Sequence, residues 1–178
     1  MRTNSVQRAF WIAAIVTTVL GAAPAFVNAA PLKIESVVSP RELIRLEFAD
    51  GSKHFVAMMR REGKVTGQGI LAGATVMEYG MHDIQPGIGG DPHGYLVFTL
   101  SEGDVAYVKW VVRGVFVPGA DGKTNLLDNG VWEIVGGTGK LKGLRGAGTL
   151  HIKRVAAPLE RNFLLEGELV SAAEGSMK

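Results

Sequence analysis

The chain has 178 residues, with 19 basic and 17 acidic side chains, 24 glycines and no cysteine. The missing cysteine excludes disulfides, thiolate metal sites and a thiol nucleophile. The near balance of charge leaves no electrostatic case for a nucleic-acid partner or an anionic membrane surface.

Residues 1–29 have the three parts of a secretory signal peptide. Arg2 and Arg8 make a basic start without an acid, Ala9 to Leu20 form an apolar run, and Val27-Asn28-Ala29 supplies a small-residue end. Cleavage after Ala29 puts Ala29 and Val27 at the two positions that must be small. An uncleaved anchor is the alternative. A spanning helix needs roughly 20 apolar residues, whereas this run is interrupted by Thr17 and Thr18 and stops at Gly21. The expected product is therefore secreted or periplasmic, with no stable membrane insertion after cleavage. Losing Arg2 and Arg8 leaves 17 basic against 17 acidic residues, so the formal charge of +2 belongs to the signal. Residues 30–178 amount to one ordinary domain, with 171–178 a frayed tail.

In the mature part, short apolar stretches alternate with turn residues every eight to twelve positions, the cadence of an all-β sandwich or barrel. Arg41 to Phe48 reads as a strand with Ile44, Leu46 and Phe48 on one face. Asp50-Gly51 predicts a tight turn, Lys53 to Arg60 a return strand, and Arg61 to Lys64 another turn. Val65 to Leu71 and Thr75 to Ile84 read as strands, the latter with Met77, Tyr79 and Met81 as its apolar face. Gln85 to His93 is a loop. Gly94 to Leu100 presents Leu96 and Phe98 on one side. Val105 to Val117 is the clearest strand, because Ala106, Val108, Trp110, Val112 and Phe116 repeat with period two. A loop is expected over Pro118 to Asn129, then strands over Gly130 to Val135, Ala147 to Ala156 and Asn162 to Val170. Period two predicts Trp132 and Ile134 on one face of the first of these, and Phe163, Leu165 and Leu169 on one face of the last.

Residues 136–149 read Gly-Gly-Thr-Gly-Lys-Leu-Lys-Gly-Leu-Arg-Gly-Ala-Gly-Thr. A phosphate-binding loop would open a helix, but this run leads into a strand, and Gly139-Lys140 is followed by Leu141 rather than Ser or Thr. The better reading is a tight turn in which Leu141 and Leu144 plug one end of a barrel. Preceded by Trp132-Glu133-Ile134-Val135, the run resembles the signature of the allene oxide cyclase-like and dirigent-like barrels. Gly90-Asp91-Pro92-His93-Gly94-Tyr95 is similar to a second stretch found in bacterial exported proteins of that superfamily. Leu141 stands where those families carry an aromatic residue. The resemblance implies a single antiparallel, calycin-like β-barrel of about eight strands.

It also implies an interior that is either filled by side chains or holds one small apolar ligand. Leu46, Phe48, Leu96, Phe98, Trp110, Phe116 and Trp132 are the candidate inward residues. The enzymatic alternative is an isomerase, an intramolecular cyclase needing a buried carboxylate. Glu78 is the candidate, although alternation against Met77 and Tyr79 points it outward. A packed structural or partner-docking barrel, with or without self-association, is the third reading. His82, Asp83, Asp91 and His93 supply possible zinc ligands within twelve residues, in no recognised spacing. No Gly-x-Ser-x-Gly elbow occurs, and no cofactor is expected.

Overall fold

The computed structural model describes residues 29–119, 122, 124–155, 157 and 159–170. The expected signal peptide, Ala29 apart, and the expected tail lie outside these. The described chain is all-β. Its strands are β1 (Ala29–Glu47), β2 (Phe55–Lys64), β3 (Thr66–Gln68), β4 (Thr75–Gln85), β5 (Gly89–Gly90), β6 (His93–Thr99), β7 (Val105–Pro118), β8 (Thr124–Gly137), β9 (Arg145–Arg154) and β10 (Arg161–Val170). They form one antiparallel sheet in which neighbours follow chain order, and pairing of β1 with β10 closes it into a ring. β5 and β6 share the place between β4 and β7. β3 continues β2 along the same side of β1.

The inner face follows the pleat. Val108, Trp110 and Val112 of β7, Trp132 and Ile134 of β8, Leu150 and Ile152 of β9, and Phe163, Leu165 and Leu169 of β10 are all buried in one cluster. One end of the ring is sealed. Gly139–Leu141 make a single 3₁₀ turn, and Leu141 and Leu144 are buried in the same core cluster as Leu71 and Val65. Gly139 takes a φ of +50° there, and the Asp104 carboxylate accepts a bond of 2.9 Å from the Lys140 backbone N–H. The Gly-rich run is thus a plug, as the sequence predicts. Further along, Gly148 and Gly167 are opposite one another and beside Trp132. A Cβ on Gly167 would come within 2.7 Å of the Trp132 ring, so Gly167 makes room for the indole, while a Cβ on Gly148 would meet the backbone of Glu166.

Several boundaries differ from expectation, for one physical reason each. β1 begins at Ala29 rather than Arg41, because Leu32, Ile34, Ser36 and Val38 alternate inward against β10. The switch of faces further along the strand hides the pattern. The expected Val65–Leu71 strand is only three residues long, with Leu71 turned into the core. The turn expected over Arg61–Lys64 is the end of β2. The loop expected over Pro118–Asn129 is mostly hairpin, since β7 and β8 stay paired out to Pro118 and Thr124.

Leu46 and Phe48 are not inward. They are 63 % and 41 % exposed, and Ile44 is exposed with them. The cause is a bulge in β1, where the register against β2 shifts between Pro40 and Glu42. Arg41 is the extra residue, and one extra residue exchanges the two faces of a strand. Even positions point inward before it. After it, Leu43 and Arg45 do, opposite the inward Met59 and Ala57.

Candidate ligand-binding site

The end of the ring opposite the plug is not filled. A cavity of about 230 Å³ lies there, walled by apolar side chains that include Leu43, Phe55, Met59, Phe116, Leu126 and Ile152. Its polar lining is Arg45, Arg61, His82, Asp128, Arg154 and Arg161. Four guanidiniums and one carboxylate around an apolar space set it apart from the rest of the core.

Glu78 lies behind this lining, bonded to two of its members. The inner face of β4 is Val76, Glu78, Gly80, His82 and Ile84, while Tyr79 and Met81 are exposed. The outward orientation expected for Glu78 is therefore wrong, and its residue is 0 % exposed. The side chains that misled the alternation belong to an apolar patch on the outside of the sheet, where Met81 is opposite Met58 and Met58 opposite Ile44. Arg61 is the register partner of Glu78 across β2 and β4, and is itself 3 % exposed. Its Nη1 donates to Glu78 Oε2 at 2.6 Å and its Nε donates to the Leu159 carbonyl at 2.8 Å. Four residues on, His82 returns to the same face, and its Nε2 donates to Glu78 Oε1 at 3.1 Å. Both carboxylate oxygens are thus engaged, which offsets the removal of the charge from water. Gly80 lies between, where a Cβ would come within 2.6 Å of Glu78 Oε1 and 2.7 Å of His82 Nε2. The His82 ring is tilted against Trp110, 6.0 Å between centroids, and Trp110 packs on Phe163.

Asp128 enters from β8, opposite Gly114 of β7 and Ile152 of β9. Its Oδ1 is buried with no hydrogen-bond partner among the described residues. Burial pushes its carboxyl pKa up, against the opposing pull of Arg161, His82 and Arg61. Arg161 is affected in reverse: burial, then the nearby Arg61 and Arg154, lower its pKa from the ordinary value. Arg45 pairs with Glu47 at 3.0 Å and lies over the Phe55 ring at 3.8 Å.

Of the seven inward residues expected to meet a ligand, Phe116 lines this cavity. Leu96, Phe98, Trp110 and Trp132 are buried in the packed core instead. The four possible zinc ligands are dispersed. His82 bonds Glu78 inside the ring, Asp83 bonds His54, the Asp91 carboxylate bonds Arg113, and His93 Nδ1 bonds the Asp91 backbone carbonyl. Among the described residues no group of three or more His, Asp or Glu side chains is placed to hold a metal ion. Arg61, Arg154, Arg161 and Asp128 were not legible as site residues. Each stands at a strand end or in a stretch that reads as turn. Neither a protein-family model nor a curated protein sequence matches the chain.

Proposed function

We propose that the protein is an exported carrier or sensor of a small, largely apolar molecule, which it holds at the open end of a calycin-like barrel. The observation that carries this is the apolar cavity of about 230 Å³ at one end of a ring whose other end is plugged. Ligand pockets commonly occupy ~300–1,000 Å³, so a cavity at or below that range favours a small molecule over a long-chain lipid. The closed sheet, with eight places around it, and the plug at Leu141 and Leu144 support the resemblance to the allene oxide cyclase-like superfamily. Export rests on the signal-like N-terminus, and cleavage after Ala29 would leave β1 intact but for its first residue.

Binding is favoured over cyclase chemistry by the state of Glu78. A catalytic carboxylate must reach its substrate, but this one is fully buried, held by Arg61 and His82, and does not line the cavity. Titration with a simple probe such as 1-octanol tests the reading. One saturable site per chain is expected, and an absence of saturable binding would refute it.

A further inference from the structure

Two arginines stand side by side at the open end of the ring. Arg154 closes β9, Arg161 opens β10, and the two are register partners. Both lie on the inner face and both line the cavity. Like charges directly opposite on a sheet repel, and an arrangement of this kind is relieved by a counter-charge placed between them. The other two arginines of the cavity already have acidic partners, Arg61 in Glu78 and Arg45 in Glu47. Among the described residues no carboxylate lies within ion-pairing distance of Arg154 or Arg161, and Arg161 Nη1 only donates to the backbone carbonyl of Glu160. Asp128 is the one carboxylate on the cavity wall, against four guanidiniums.

We infer that Arg154 and Arg161 seat an anionic head group, so that the ligand is a small apolar molecule ending in a carboxylate or a similar oxyanion. The tail lies along Leu126, Phe116 and Phe55, and the head faces the two guanidiniums. The inference rests on the cavity being a ligand site.

Calorimetric titration with octanoate, 1-octanol and octylammonium separates the two ideas. Octanoate is expected to bind about tenfold tighter than octanol, the factor for one charge-assisted hydrogen-bonding pair, and octylammonium more weakly than either. Arg161→Gln is expected to lower the preference for octanoate over octanol by about tenfold. Asp128→Asn removes the competing carboxylate and is expected to tighten octanoate binding a few-fold, a gain that misfolding cannot mimic. Octanol binding as tightly as octanoate, or an Asp128→Asn variant with no gain, would overturn the acidic head group while leaving the cavity a ligand site. Binding of none of the three probes would overturn both.

Discussion

Arg61 and Glu78 form the most deeply buried ion pair among the described residues, and its effect on stability depends on keeping both members. Removing one partner of a buried pair leaves an uncompensated charge, and such changes cost about 3–5 kcal/mol. Arg61→Met is expected to destabilise by that amount in urea unfolding, because Glu78 would keep only His82. The double variant Arg61→Met, Glu78→Met is expected to recover most of the loss, since two apolar side chains of similar size need no partner. A double variant no more stable than the single one would show that the pair is held for packing rather than charge. Asp128 works in the opposite direction. Burial raises its folded pKa, so the folded state takes up its proton more readily than the unfolded chain. Stability from this group is full below the ordinary aspartate range and is lost as pH rises through the raised value. Asp128→Asn is therefore expected to stabilise the protein at neutral pH, with a gain that shrinks on acidification; a gain constant with pH would contradict the assignment. Glu78 was legible as the candidate buried carboxylate, but its inward orientation and its pairing with Arg61 were not. Glu78 has Met77, Tyr79 and Met81 around it, which outweigh the true inner face of Val76, Gly80 and Ile84 in any reading by hydrophobicity. Arg61 opens a run of Arg-Glu-Gly-Lys that reads as a turn.

At the level of elements, strands with a single apolar face were readable and those with two were not. β7 and β10 interrupt their outer faces with charged residues, Lys109 and Arg113 in one and Glu166 and Glu168 in the other, so period two located their inner faces directly. β1 fails this reading because the bulge at Arg41 reverses its faces midway. Its second half then places Ile44 and Leu46 outside and Arg45 inside, against the hydrophobic order. The bulge brings Arg45 into the cavity, so it shapes the site as well as the strand. Deleting Arg41 would remove the bulge and leave the faces as they are, because Pro40 and Glu42 already pair with the consecutive residues Arg61 and Arg60, so Leu43 and Arg45 stay inward. The expected cost is about 1 kcal/mol or less in unfolding free energy, well short of core disruption. A loss of ~3 kcal/mol or more in urea unfolding, the mark of exchanged faces, would mean that β1 is not bulged there.

At the scale of the whole molecule, the ring is sealed at one end by side chains that the Gly-rich run delivers and left open at the other. The seal was visible in residues 136–149. The open end was not, because a cavity arises where eight strand ends meet and no single segment encodes it. Its lining comes from β1, β2, β4, β7, β8, β9 and β10 together with the segments next to them. Ala57 is the smallest side chain on its wall and is itself buried. A leucine there would project into the space a ligand needs while leaving the distant plug untouched. Calorimetric titration of 1-octanol into the wild-type chain and Ala57→Leu is thus the most direct test. The account predicts one saturable site per chain in the wild type and at least a tenfold loss of affinity in the folded variant, about 1.4 kcal/mol. Equal binding by both proteins, or saturable binding by neither, would contradict it.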